Sequence, residues 1–409
     1  MEFGPIISAM RRNKVGAILI AVQMAITLAI MCNALFIIEQ RIALSKRPTG
    51  ADEANVFAIQ NQWVGNPTDG SARLQGDLAA LRSVPGVLDA FATNTYPLSG
   101  GGSTTGLSLL PDQHNATALG AIYFGDEHAI AGLGLKLVAG RNFNPGDVVD
   151  KFGYTDLKSP TGIIVTRVLA DKLFPGGNAV GRSVYDEARR GQTPIIGIVD
   201  QLQVPWVSAG GWGSKFSDSS IIEPFNFVSP YPYMYIVRAQ PGQISAVMQA
   251  APKKLFDVSR ARVIQKTQTL TAARTDAYKD DKGLVVILGV VCVALLAVTA
   301  FGIVGLTSYW VAQRRRQIGI RRALGATRNA IIQYFQTENL LIAAAGAAIG
   351  VALAVSLNLW MVNAFAMQRL QTSYTLIGAI VVLILGQAAV LWPALKAASI
   401  PPALATRAA

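Results

Sequence analysis

GLVVILGVVCVALLAVTAFGIVGLTSYWV (283–311), followed almost at once by QRRRQIGIRRALGATRNAII (313–332), decides how this chain folds. The first stretch exceeds the roughly 20 apolar residues that a helix needs to cross a ~30 Å hydrocarbon core. The second places six arginines, Arg314, Arg315, Arg316, Arg321, Arg322 and Arg328, within fifteen residues. An arginine at the centre of a span costs about 2.5–3.5 kcal/mol, so six would cost on the order of 15–20 kcal/mol. The chain therefore leaves the membrane where the arginines begin.

Three further stretches have the length and apolarity of spans: Val15–Ile38, Asn339–Phe365 and Tyr374–Lys396. Their polar residues are mild ones, such as Gln23, Asn33, Asn358 and Gln387, and Thr299 plays the same part in 283–311. Of the 409 residues, 51% are hydrophobic and 15% charged, against about 25% charged in soluble domains. The expectation is a membrane protein with four transmembrane helices. The first apolar run is longer than the about 7–15 residues of a signal h-region and no A-x-A-like site follows it. AIMCNA around Cys32 faintly resembles a lipoprotein cleavage site, but Met31 is large where a small residue is needed, so this span is read as an anchor.

The net charge of +12 is unevenly spread. Residues 41–282 hold 24 Lys+Arg against 21 Asp+Glu, which leaves +9 on the remainder, beside the spans. That is the positive-inside pattern rather than a nucleic-acid footprint. It predicts both termini and the 312–338 segment on the cytoplasmic side, with 39–282 and the short 366–373 loop outside. The two cysteines, Cys32 and Cys292, both fall in predicted spans. The external segment thus has no disulfide and must be held by its own core, for which some 240 residues suffice.

At the N-terminus, residues 1–14 place Phe3, Ile6, Ile7 and Met10 on one helical face, which fits either an interfacial helix or a frayed end. Within 39–282 the two ends repeat one pattern. NVFAIQNQW (55–63), DGSARLQGDLAALRSV (69–84) and VLDAFATN (87–94) read as strand, helix and strand, with Leu74, Leu78 and Leu81 on one helix face. YPYMYIVRA (231–239), ISAVMQAAPKKLF (244–256) and ARVIQK (261–266) read the same way. Two β-α-β units flanking an insertion imply an α+β domain of two lobes: a split β-α-β lobe and, over 97–228, a strand-rich inserted lobe. Two glycine-rich stretches there, LSGGGSTTG (98–106) and VSAGGWGSKFS (207–217), read either as hairpin loops or as tips that touch a partner or cargo.

Catalytic signatures are missing. The sequence contains no G-x-x-x-x-G-K-[ST] for phosphate binding and no G-x-S-x-G elbow. The two histidines, His114 and His128, lie apart, and GDEH (125–128) is not completed by any zinc-type spacing. The chain reads as a non-enzyme without a metal site.

The arginine stretch reads as a direct continuation of the second span, with Ile318, Ile320 and Leu324 interleaved among the basic residues. Gly325-Ala326-Thr327 bends it and ATRNAIIQYF starts a returning helix. Anchoring to lipid headgroups accounts for the charge but not for an apolar seam with a glycine bend in it. Glu338 either pairs with the arginines across the bend or is a carboxylate favoured by a helix N-terminus.

QRRRQIGIRRALGATRNAIIQYFQTENLLIAAAGAAIG (313–350) resembles the signature of FtsX-like permeases, the MacB-type ABC transporter family. The matching positions are Arg315, Ile318, Gly319, Ile320, Arg321, Arg322, Ala323, Leu324, Gly325, Ala326, Glu338 and Gly350; Gln317 departs from the family's usual Glu. GLKLVAGRNF (134–143), VTRVLADKLFPGGNAVGRSV (165–184) and TPIIGIVDQ (193–201) resemble the family's periplasmic core, and PALKAASIPPALATR its C-terminal end. The resemblance implies a permease in the bacterial inner membrane that docks on a separate ABC ATPase subunit. ATP and Mg are then expected on that partner, with no cofactor in this chain. A second permease copy or a paralogue, and a periplasmic adaptor with an outer-membrane channel, are further implied partners. Gly319, Ala323, Leu324 and Gly325 would provide the docking and the bend. Arg315, Arg316, Arg321 and Arg322 would contact the partner or lipid. Three functions share these motifs: efflux or extrusion, mechanical control of a cell-wall enzyme or sensor, and lipoprotein release.

Overall fold

The computed structural model describes residues 14–401 apart from 66–68, 112, 154–157, 188–190, 208–215, 230 and 366–367. The expected helix over 1–14 therefore lies almost wholly outside the described residues, as do most of the 207–217 stretch and the tail from 402. The chain divides into two units: Ser45–Asp280, and the remainder, Met1–Leu44 with Asp281–Ala409.

In the 45–280 unit, β1 (Val56–Trp63), α2 (Gly70–Arg82) and β2 (Val87–Thr93) form the first β-α-β unit, counting the N-terminal helix α1 (Lys14–Ser45) as the first. β11 (Tyr233–Ala239), α5 (Ile244–Val258) and β12 (Arg262–Thr269) form the second, and α6 (Leu270–Ala277) follows it. Their strands make one antiparallel sheet in the order β12-β1-β11-β2, the split β-α-β arrangement expected from the sequence. The period of two sends Phe57, Ile59 and Trp63 to one face, where they join Leu74, Leu78 and Leu81 of α2 and Val247, Ala251 and Leu255 of α5. The opposite face, with Val56, Ala58 and Ile236, packs on Tyr96, Leu202 and Val204 of the inserted lobe.

Buried within the first of these layers is a charged pair that no hydrophobic pattern reveals. Arg262 meets Asp77 at 2.7 Å, with 1% of each side chain exposed. Asp77 also accepts from the Tyr235 hydroxyl at 2.6 Å and the Trp63 indole N–H at 3.3 Å. Tyr235 in turn meets the Tyr233 hydroxyl at 2.8 Å, and the Asn61 amide donates to Tyr233 at 2.7 Å. Burial pushes both phenols well above the usual tyrosine range, so they stay protonated in this network.

The inserted lobe carries β3 (Ser103–Ser108), β4 (Ala118–Gly125), α3 (Ala129–Leu133), β5 (Leu137–Gly140), β6 (Val149–Phe152), β7 (Ile163–Thr166), α4 (Arg167–Leu173), β8 (Ser183–Asp186), β9 (Gln192–Val199) and β10 (Ser220–Val228). The path β4-β3-β8-β9-β7-β10 returns on itself through a parallel β4–β10 pairing, and β5 and β6 add at its sides. Closure of this kind removes free edges. Four of the nine residues of the 98–106 stretch belong to strand β3, Leu98 is 4% exposed, and Gly100, Gly101 and Gly102 are exposed. His128 and Asp126 are taken up by Asp89 and Arg82, and no metal-type cluster occurs among the described residues.

The other unit contains α1, α7 (Lys279–Gln313), α8 (Arg315–Ala323), α9 (Arg328–Phe365) and α10 (Thr372–Ala398). Four of these are long and apolar enough to cross a membrane. α1 is the centre of the packing, with Ile20, Met24 and Leu28 fully buried. Gly346 and Gly350 on α9 admit it closely: a Cβ there would lie 2.7 Å from the Ala21 carbonyl oxygen and 2.9 Å from that of Ala25. Between helices, the Thr27 and Thr299 hydroxyls meet at 2.8 Å and the Asn33 amide donates to the Ala354 carbonyl at 3.1 Å. α7 differs: Val286, Ile287, Val290, Val293 and Phe301 are all exposed along it.

Candidate functional site: the arginine helix and its clamps

The run from the second span into the arginines is not continuous. Arg314 has φ −98° and ψ 11°, which ends α7 and starts α8. Hydrogen bonds still cross the break, from the Arg314 N–H to the Trp310 carbonyl and from the Ile318 N–H to the Arg314 carbonyl, both 3.0 Å. The joint is thus a bend and not a gap.

At that joint Arg314 reaches Glu338. Nη1 lies 2.8 Å from Oε2 and 3.1 Å from Oε1, and Nη2 lies 3.1 Å from Oε1. The side chains are 11% and 3% exposed. Glu338 is the eleventh residue of an unbroken α9. A macrodipole effect fades beyond the first turn; the alternative of a helix N-terminal carboxylate is therefore corrected, and Glu338 is an ion-pair partner.

α8 is held at its far end too. Arg322 Nη1 donates to the Ala398 carbonyl at 3.0 Å and the Ile400 carbonyl at 2.7 Å, satisfying carbonyls left over where α10 ends. The Arg321 guanidinium lies 5.0 Å above the Tyr334 ring. Ile318 and Gly319 are buried, and Ile318 shares a core with Ile331 and Phe335 of α9. The helix ends in a Schellman motif: the Ala326 N–H donates to the Arg321 carbonyl and the Gly325 N–H to that of Arg322. This requires φ +95° at Gly325, a conformation only glycine adopts without strain. Thr327 then caps α9 by accepting from the Ala330 N–H at 3.2 Å.

Of the sequence-derived site residues, Arg315, Arg316, Ala323, Leu324 and Gly325 are exposed, together with Ile320, and Leu324 shows 83% of its surface. Arg315 and Arg316 make no ion pair among the described residues. Gly319 is buried. Arg322 reaches the end of α10, and Arg321, which stays exposed, lies over the Tyr334 ring. Arg314 is the residue that sequence reasoning passed over, although Glu338, seen as a carboxylate facing arginines, pointed to a partner of this kind.

Residues 17–254 match the MacB-like periplasmic core domain, and residues 289–402 match the FtsX-like permease C-terminal domain. The chain belongs to the MacB/FtsX-type permease family. As such it is a membrane permease with transmembrane helices and a periplasmic-type domain. It is 24% identical over 226 residues to the macrolide export ATP-binding/permease protein MacB of Chromobacterium violaceum, covering 54% of this chain and 32% of that protein. It is 24% identical over 284 residues to the protein of the same name from Neisseria meningitidis serogroup B, covering 66% of this chain and 39% of that one. The chain thus spans about a third of the length of the curated relatives it matches. Among solved structures, the periplasmic region of MacB from Actinobacillus actinomycetemcomitans has a TM-score of 0.35 at 13% identity, covering 57% of this chain and 97% of that one. The extracellular domain of the noncanonic ABC-type transporter YknZ has a TM-score of 0.32 at 16% identity, covering 51% of this chain and all of that one.

Proposed function

We propose that this permease is the membrane subunit of an ATP-driven extrusion system in the bacterial inner membrane, and that α8 is the element on which a separate ABC ATPase docks. The carrying observation is that α8 pairs an exposed apolar tip, Ile320 and Leu324, with two free arginines, Arg315 and Arg316. An apolar anchor with charge around it fits a protein partner better than a headgroup layer. The excess of basic charge beside α8 supports a cytoplasmic position for it and for both termini, with residues 45–280 outside.

ATP and Mg are held by the partner in this reading, and this chain contributes transmission. A displacement of α8 passes to α9 through Arg314–Glu338 and to α10 through Arg322. Both links are charge-assisted and shielded from water, which makes them stiff. The exposed apolar face of α7 is where a second permease copy or a paralogue packs. An adaptor and outer-membrane channel on the outer side complete the extrusion route.

Co-purification with the ATPase encoded beside this protein, in nanodiscs, tests the docking. Leu324→Asp and the double reversal Arg315→Glu/Arg316→Glu remove the tip and the free charge without touching either clamp. Loss of the ATPase from both variants is the expected result. Retention by both at the wild-type level refutes docking through α8.

A further inference from the structure

Within the 45–280 unit, a cleft opens where the four-stranded sheet faces the inserted lobe. It consists of two adjoining cavities of about 390 and 480 Å³ that share Tyr96, Ser99 and Lys266. Small-molecule sites are typically about 300–1,000 Å³. The sheet side offers Gln60 of β1 and Lys266 of β12, which stand opposite each other in the strand register. The other side is the 98–102 segment with Trp206.

That wall is built rather than loose. Leu98 has φ +64°, a left-handed conformation that leucine rarely adopts, and its N–H points at the Val204 carbonyl 3.5 Å away. The Gly100 N–H donates to the Pro205 carbonyl at 2.9 Å, and the Thr95 hydroxyl donates to the Gly101 carbonyl. An edge-to-face contact with Phe216, ring centroids 6.2 Å apart, fixes Trp206.

The chemistry of the lining narrows the ligand. Lys266 lies 3.6 Å from Asp276, so the one cation and the one anion that line the cleft among the described residues balance each other. A strongly charged ligand gains little there. The Gln268 amide donates to Asp276 at 2.7 Å and is thereby occupied. The Gln60 amide and the Trp206 indole N–H carry no hydrogen bond among the described residues. An aromatic face, free amide and indole donors and a neutralised rim match an uncharged, oxygen-rich ring with a C–H face. We propose that this cleft is a saccharide-binding site, formed by Trp206, Gln60 and Lys266 and holding an uncharged glycan. The assignment is independent of the docking role of α8.

The test is isothermal titration calorimetry on the full chain in nanodiscs, with N,N′,N″-triacetylchitotriose and maltotriose as probes. The wild type is expected to bind at least one of them saturably. Trp206→Ala weakens that binding by about tenfold or more, and Gln60→Ala, which removes one hydrogen bond, by about three- to tenfold. Trp206→Phe keeps an aromatic face and most of the affinity. Gln60→Ala alters a half-exposed side chain without a partner, so its melting temperature stays at the wild-type value and it decides the matter if Trp206→Ala fails to fold. The proposal is overturned if neither probe binds the wild type, or if Gln60→Ala binds as tightly as the wild type.

Discussion

Arg262 with Asp77 in the strand-rich unit, and Arg314 with Glu338 in the helical bundle, are both arginine–carboxylate pairs shut away from solvent, yet their surroundings differ. Asp77 accepts from both Arg262 nitrogens, from Tyr235 and from Trp63, and so ties α2 to strands β1, β11 and β12. Glu338 accepts only from Arg314 among the described residues, and it does so beside a break in the helix path. The first carboxylate is held by three residues from three different strands, which fixes one geometry. The second answers to a single residue across a joint. Anchoring from several elements locks a fold, whereas a single strong link across a joint couples only the two helices that it joins.

Four substitutions sharpen or break that contrast. The largest stability loss belongs to Arg262→Ala, which leaves Asp77 buried and unpaired at a cost of about 3–5 kcal/mol. Chemical denaturation followed through the signal of the 45–280 unit reads it; a loss under 1 kcal/mol would deny the pair its structural role. Glu338→Ala should cost less, about 2–3 kcal/mol, because the stranded Arg314 side chain is 11% exposed and reaches water more readily than Asp77 at 1%. If it cost more than Arg262→Ala in the same denaturant series, the contrast between lock and joint would be lost.

Gly325→Ala forces a Cβ into the left-handed region at the end of α8, for about 1–2 kcal/mol and no packing clash, since nothing lies within 4 Å. An unchanged melting temperature would show that the turn relaxes freely. The smallest effect is Glu53→Gln. Burial works against the Glu53 carboxylate, but hydrogen bonds from Arg274 and Thr49 and the Arg274 charge outweigh it and hold its pKa below the usual value. A depressed carboxylate pKa stabilises the fold above the unfolded value of 4.5, and that contribution is lost as pH falls through the folded value. Glu53 and Arg274 are 21% and 20% exposed, so solvent screening limits the difference at neutral pH to about 1 kcal/mol. Melting curves of wild type and variant should converge as pH falls below the unfolded value; a gap that stays constant on acidification contradicts the assignment.

The sequence carried the four spans and both β-α-β units because each is written in local periodicity, as in Leu74, Leu78 and Leu81. It could not carry the closed inserted lobe, where four-residue strands such as β5 and β7 pair across long separations. Helix ends were equally hidden. α1 continues through Glu39, Gln40 and Arg41 to Ser45, since hydropathy reports contact with lipid and not where backbone hydrogen bonding stops. In the site, the charge, the glycine turn and Glu338 were legible. Which arginine takes Glu338 was not, because Arg314, Arg315 and Arg316 are alike in sequence and only the break at 314 aims one of them inward. Asp77 was illegible for a related reason: on a helix of alternating leucines and polar residues it reads as solvated surface.

The transmission of α8 movement proposed for Arg314–Glu338 is read by electron–electron double resonance between spin labels on the 45–280 units of two permease copies, reconstituted in nanodiscs with the candidate ATPase, with and without ATP. The account predicts an ATP-dependent distance change in the wild type that Glu338→Ala abolishes while the ATPase remains bound. A Glu338→Ala complex that shows the same ATP-dependent change as the wild type would contradict it.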